Sequence, residues 1–187
     1  MSTSFKTKAD SKTVPITPVE TAVFNAWLKK EPKDVQAWVR ASGFRAKAGE
    51  ISLFSSGSGV LSRVLLGVEN HDGLWDYAGL PNALPDGSYR IDARMSAAGA
   101  TAAATGWALG CYRFDTYKSG KSKKLPSLVW PARTAKARVK AMADAIGLVR
   151  DLINTPAEDM GPSQLAGEAR KLGRQFKADV KVISGDA

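Results

Sequence analysis

A chain of 187 residues has room for one ordinary domain and part of another, since domains commonly run to roughly 100–150 residues. Its 44% hydrophobic and 24% charged residues are those of a globular protein, and no apolar run approaches the ~20 residues needed to cross a bilayer. The single cysteine, Cys111, excludes an internal disulfide, and the basic start has no apolar stretch after it that could serve as a signal-peptide core, so a cytoplasmic location is expected.

The net charge of +9 is concentrated. Between Tyr112 and Lys140 lie nine basic residues (Arg113, Lys118, Lys121, Lys123, Lys124, Arg133, Lys136, Arg138 and Lys140) against the single acid Asp115, which leaves the remainder nearly neutral. Such a stretch can act as a footprint for phosphates. Lys118 to Lys124 nevertheless has the composition of a solvated loop, with no interleaved aromatic residue on which a base could stack.

In chain order, residues 1–14 read as a flexible tail. From Pro18 to Phe44 the pattern favours two short helices separated at Glu31-Pro32, one carrying Val23, Phe24, Trp27 and Leu28, the other Val35, Trp38 and Val39, with Trp27 and Trp38 as core anchors. Ile51 to Phe54 and Arg63 to Val68 read as strands buried on both faces and joined through Ser55-Ser56-Gly57-Ser58-Gly59, a reversal rich in glycine and serine. Leu74 to Ala83 reads as a short helix followed by a turn at Pro85-Asp86-Gly87, and Tyr89 to Ile91 as a brief strand.

Ala97 to Leu109 is rich in alanine and glycine. Ala98, Ala102 and Gly106 recur at fourfold spacing, which lets a helix lie close against a neighbouring sheet. Leu128 to Trp130 is a strand stopped by Pro131. The strongest periodicity comes next: Ala135, Val139, Met142, Ile146, Val149 and Ile153 place an apolar stripe along one face of a helix of about six turns. That helix ends before Thr155-Pro156, another starts at Gly161-Pro162 with Leu165, Ala169 and Leu172 as its buried face, and Val180 to Ile183 make a final strand. Strands alternating with helices argue for an α/β fold with a mixed sheet flanked by helices.

Residues able to carry chemistry are few. His71 is the only histidine, with Asp72 beside it and Asp76 nearby, and reads as an exposed loop residue. Cys111 reads as a buried apolar thiol. Gly57-Ser58-Gly59 resembles the opening of a nucleotide-binding fingerprint, but position 62 is Ser and no Lys-Ser/Thr pair follows, so a tight turn is the simpler reading. The pairs Glu158-Asp159 and Asp144/Asp151 do not make the several convergent ligands a two-metal site needs. No residue is therefore assigned a catalytic, cofactor-binding or metal-ligating role.

The run Val149-Arg150-Asp151-Leu152-Ile153-Asn154-Thr155-Pro156-Ala157-Glu158-Asp159-Met160-Gly161-Pro162-Ser163-Gln164-Leu165-Ala166 resembles the segment of leucyl (cytosol) aminopeptidases that joins the N-terminal domain to the catalytic domain. Trp107-Ala108-Leu109-Gly110-Cys111-Tyr112-Arg113-Phe114 resembles the region upstream of that junction, and Gly79-Leu80-Pro81 and Leu84-Pro85-Asp86-Gly87-Ser88-Tyr89 extend the likeness towards the start. The resemblance implies a macrodomain-like N-terminal domain at 15–130, a connecting helix at 131–154 and the beginning of a truncated catalytic domain at 155–187. It also implies a parent exopeptidase that releases N-terminal amino acids from peptides, carries two divalent metals (zinc or manganese) and assembles as a hexamer. In that parent this region would be non-catalytic and serve assembly or substrate access, with its own catalytic domain, further copies of itself and peptide substrates as partners. The family's signature of the form N-T-D-A-E-G-R-L is absent, and Asn154-Thr155-Pro156-Ala157-Glu158 lacks its metal-binding Asp and its Arg, so the chain alone is expected to be inactive. The alternative is a stand-alone module binding a nucleotide through the macrodomain-like fold or nucleic acid through the basic stretch.

Overall fold

The computed structural model describes residues 4–55, 57, 59–120 and 124–185. It divides into two compact units, residues 1–145 and 146–187.

The first unit is a mixed six-stranded sheet flanked by helices. Its elements are β1 (Phe5–Lys6), β2 (Val14–Glu20), α1 (Phe24–Lys30), α2 (Lys33–Ser42), β3 (Ile51–Ser55), β4 (Leu61–Val68), a 3-10 turn (Trp75–Tyr77), α3 (Leu80–Ala83), β5 (Ser88–Ile91), α4 (Ala97–Gly110) and β6 (Ser127–Val129). Strand order is β1-β6-β5-β2-β4-β3, parallel throughout except for the antiparallel hairpin of β3 and β4.

Two parts of the sequence reading change here. The supposed tail contributes β1, in which Phe5 and Lys6 pair with Leu128 and Val129. Phe5 stacks on Trp130 with ring centroids 3.8 Å apart, and that aromatic burial orders the segment. The second change concerns Pro18, which lies not in a helix but in β2, at the middle of the sheet between β4 and β5. Pro15 and Pro18 each remove a ladder N–H, which makes Val14–Glu20 read as a non-strand. The strand survives because Ile16 and Val19 are buried on opposite faces and the remaining groups still pair, as where the Asp92 N–H donates to the Ile16 carbonyl at 2.7 Å.

The faces of the sheet carry separate cores. On one, Ile16, Val64, Leu66, Val68, Tyr89 and Leu128 meet Tyr77, Leu80, Leu84, Ala103 and Trp107 from the 3-10 turn, α3 and α4. On the other, Val19 and Leu65 meet Phe24, Val35, Val39 and Phe44 around α1 and α2. Period-two alternation along β4 thus feeds both layers. Trp27 and Trp38 sit at the rim rather than in the core. Each is half-buried: Trp27 lies beneath the Arg63 guanidinium at 5.8 Å, and Trp38 donates its indole N–H to Ser52 Oγ at 3.0 Å.

Helix α4 forms where the sequence places it, but its small residues face something else. Ala98 is exposed, and a Cβ on Gly106 would strike the carbonyl oxygen of Leu74, one on Gly110 that of Ala78 and one on Gly99 the Asp72 carboxylate. The glycines therefore admit the 71–78 segment, not the sheet; Ala103 and Trp107 meet the sheet core, while Ala104 and Ala108 pack on Val139 and Ala143.

Helix α5 spans Lys136–Asn154. Its apolar stripe does not form one buried face. Val139 is fully buried, Ile146 is half-buried, and Met142, Val149 and Ile153 are 37%, 52% and 76% exposed. In the second unit, the Thr155 N–H and hydroxyl both return to the Asp151 carbonyl, and α6 (Pro162–Phe176) begins with its proline in the first turn as expected. Leu165 and Leu172, read with Ala169 as a buried face, are exposed, and Val180 to Ile183 form no strand. A strand needs a ladder partner, and none of the six strands pairs with this segment.

Gly106→Ala should lower stability by about 1–3 kcal/mol, because the new methyl meets backbone that cannot swing away. Gly167→Ala in α6, with nothing within 4 Å, should be neutral or stabilising through helix propensity. Urea denaturation of both variants checks the pair, and equal effects would contradict the packing described.

Candidate functional site

In open α/β sheets ligands usually bind beyond the carboxyl ends of the strands, where the strand order reverses. Here that place lies at the end of β2, whose neighbours β4 and β5 lead to opposite sides. Glu20 closes β2, and its Oε1 lies 3.6 Å from His71 Nε2. The histidine's carboxylate partner thus comes from a distant strand, not from Asp72 or Asp76 beside it. Asp76 accepts the Glu69 N–H at 3.1 Å and holds the loop after β4.

Asp72 accepts a hydrogen bond from Ser96 Oγ at 3.0 Å, and Ser96 caps α4 by accepting the Gly99 N–H at 2.9 Å. A helix N-terminus is where a nucleotide phosphate would bind. In this chain a carboxylate of the protein lies there, close enough to Gly99 to leave no space for a Cβ. Glu20, Asp72 and Asp76 surround the region with negative charge, and together with burial, the larger cause, they push the Tyr77 hydroxyl above its ordinary range. This edge of the sheet is built against phosphate. The Gly57–Gly59 turn is no better suited, because it joins antiparallel strands rather than a strand to a helix, and Ser56 and Ser58 lie outside the described residues.

The other candidates do not converge. Asp144 and Asp151 stand seven residues apart on α5, about 10 Å along its axis. Glu158 and Asp159 are exposed in the turn before α6. Among the described residues, no group of three or more His, Cys, Asp or Glu side chains could hold a metal ion. Cys111 is buried at the end of α4, and burial pushes its thiol from 9.0 up to about 11.

The basic stretch disperses. Lys118 pairs with Asp115 at 3.3 Å and Lys124 with Asp86 at 2.9 Å, Arg113 donates to Asn82 Oδ1 at 3.1 Å, and Lys136 lies over the Trp130 ring at 5.6 Å. Lys121 and Lys123 lie outside the described residues.

Two features gave no signal in the sequence because their parts are far apart along the chain. A groove of about 970 Å³ opens at the amino ends of β2, β4, β5 and β6, lined among others by Lys6, Asp10, Lys12, Thr13, Asp86 and Lys124. Its Asp10 carboxyl is held below the ordinary range, first by the Thr13 hydroxyl and then by the Lys12 N–H. On the α1–α2 side, Arg63 forms a two-pronged ion pair with Glu31, at 2.5 and 3.3 Å, and donates from Nε to Thr17 Oγ1 at 2.8 Å.

With this geometry in view, the comparisons are decisive. The family described as M17 aminopeptidase, N-terminal domain, matches residues 14–131. The chain carries the N-terminal domain of an M17 aminopeptidase. A probable cytosol aminopeptidase of Solibacter usitatus is 32% identical over 162 residues, covering 75% of this chain and 34% of its own length, and one of Wolinella succinogenes is 35% identical over 95 residues, covering 43% and 20%. Among solved structures, the cytosol aminopeptidase from Coxiella burnetii superposes with a TM-score of 0.82 at 36% identity, over 97% of this chain and 40% of that one. The bottromycin maturation enzyme BotP, solved in complex with Mn, does so at 0.69 and 25%, over 94% and 39%. The chain therefore spans between a fifth and two fifths of the length of these relatives. Among the described residues, no helix is long and apolar enough to cross a membrane.

The buried thiol of this domain has a pH signature. A folded-state value raised from 9.0 to about 11 means that the folded form holds its proton where the unfolded form has lost it. The contribution is present below pH 9 and is lost as pH rises towards 11, amounting to roughly 2–3 kcal/mol. Tyr77 and Tyr89, both raised mainly by burial, add to the alkaline loss at higher pH. Thermal melts should show Cys111→Ala losing less stability than the unsubstituted chain between pH 8.5 and 10.5; parallel curves would contradict the burial of the thiol.

Proposed function

We propose that this chain is the non-catalytic N-terminal region of a two-metal, leucyl aminopeptidase-like exopeptidase that releases N-terminal amino acids from peptides, and that it serves assembly or substrate access. The observation that carries the reading is the likeness to the Coxiella burnetii cytosol aminopeptidase over nearly the whole of this chain. The division proposed takes the N-terminal domain to residue 130 with β1 (Phe5–Lys6) included in it, 131–154 as the connecting helix and 155–187 as the first part of the catalytic domain. The parent would work in the cytoplasm as a hexamer with zinc or manganese. The Mn in the BotP complex supports the choice of metal, and the names of the cytosol aminopeptidases support the location.

The test has two arms. The 187-residue chain alone should neither bind Zn²⁺ or Mn²⁺ tightly in calorimetry nor cleave a leucine amide analogue, because a two-metal hydrolase must hold its ions about 3.5–4 Å apart among several carboxylates. The parent protein should do both. Stoichiometric metal binding with turnover by the short chain would overturn the non-catalytic assignment, and an inactive, metal-free parent would remove the enzyme reading.

A further inference from the structure

The edge beyond β2, β4 and β5 runs against the charge of the rest of the chain. The loops that follow these three strands, 21–23, 69–79 and 92–96, hold one basic residue, Arg94, and four acids, Glu69, Asp72, Asp76 and Asp92, to which Glu20 adds a fifth at the end of β2. Asp92 is taken by Arg90 at 2.7 Å. The other four pair with no Lys or Arg among the described residues, in a chain whose net charge is +9. They belong to one region: His71 lies against Glu20, Ser96 bonds Asp72, and Asp76 accepts the Glu69 N–H.

Two further observations point to a ligand. Trp75 is 75% exposed, whereas the other four tryptophans are buried or half-buried. The backbone that carries it is fixed, because the Leu74 carbonyl lies on Gly106 of α4 and the Ala78 N–H returns to the Trp75 carbonyl at 3.0 Å. A rigid loop thus holds an indole out in water among carboxylates, and the negative face of such a ring attracts a cation. The half-buried indoles of this chain already act in that way, with Arg63 over Trp27 at 5.8 Å and Lys136 over Trp130 at 5.6 Å. In the same loop Tyr77 is fully buried, and its hydroxyl has no hydrogen-bond partner. Burial first, and then the charges of Asp76, Asp72 and Glu20, raise its pKa, so the hydroxyl stands on the carboxylate side of the core. A buried hydroxyl left unpaired is costly until something satisfies it.

We propose that Trp75 and the carboxylates of Glu20, Glu69, Asp72 and Asp76 form a docking site for a basic peptide segment, one Arg or Lys of which lies on the indole while its charged head is held by the carboxylates and donates to the Tyr77 oxygen. The occupant is argued from charge complementarity: this edge is acidic and aromatic on an otherwise basic chain, and a cationic side chain with an apolar stem satisfies both features. The site lies wholly within residues 1–145 and does not depend on the activity of the parent.

Calorimetry of the 187-residue chain with a tetra-arginine peptide blocked at both ends tests this. The unsubstituted chain should bind one peptide at this edge, and Trp75→Ala should weaken that binding about fivefold with an unchanged melting temperature. The double variant Glu20→Gln/Glu69→Gln should weaken it to a similar extent, about fivefold, and reduce its salt dependence. Tyr77→Phe separates a ligand role from a packing role: it should weaken the peptide about fivefold while the melting temperature stays level or rises, since the fold loses only an unpaired hydroxyl. No saturable binding by the unsubstituted chain would overturn the proposal, and so would equal binding by all four proteins. A mass that rises with concentration and falls back in Trp75→Ala would give this face to a second copy of the chain, and would overturn the peptide assignment.

Discussion

The fold of residues 1–145 depends on how closely helix α4 can be approached. Gly99, Gly106 and Gly110 let the backbone of the 71–78 segment lie directly on the helix, where any side chain would collide with a carbonyl or carboxylate oxygen. That contact places Tyr77 and Leu80 in the sheet core beside Trp107, and leaves the Ala104 and Ala108 face for Val139 and Ala143. One helix is thus shared by the sheet, the loop after β4 and the start of α5. Its glycines cost intrinsic helicity, so the helix is held by burial rather than by propensity.

The same contact shapes the chemistry at the carboxyl edge. Drawing the 71–78 segment onto α4 brings Asp72 to the helix N-terminus, where its carboxylate meets Ser96 and takes the position an anionic ligand would occupy. At this edge of the sheet the protein's own carboxylates oppose a phosphate. The fold alone would permit a structural or a binding role, and the carboxylates at this edge do not favour an anionic ligand.

Much of the fold was legible in the residues. The β3–β4 hairpin, β5, β6 and the helices α4, α5 and α6 are signalled by apolar runs, turn residues and proline positions. The parts that were not legible depended on the surface lying opposite. Pro15 and Pro18 hide β2 because a missing N–H is a local signal, whereas the burial of Ile16 and Val19 between two layers is not. The small residues of α4 announce a close approach but not its partner. The stripe from Ala135 to Ile153 announces an apolar face, yet only Val139 meets a core within the first unit. The apparent strand at 180–183 has suitable apolar residues and lacks a ladder. The site readings behaved alike: His71 was visible as the single histidine, but its neighbour Glu20 lies about fifty residues away and no spacing rule connects them.

Residues 1–145 fold around their own cores, and the proposed function puts the metal of the parent outside them. Cutting the manganese-loaded parent in the exposed turn at Glu158-Asp159 and separating the two pieces under native conditions allows the metal in each to be measured by mass spectrometry. The account expects the N-terminal piece to remain folded and metal-free while manganese stays with the remainder; manganese retained by a folded N-terminal piece would contradict it.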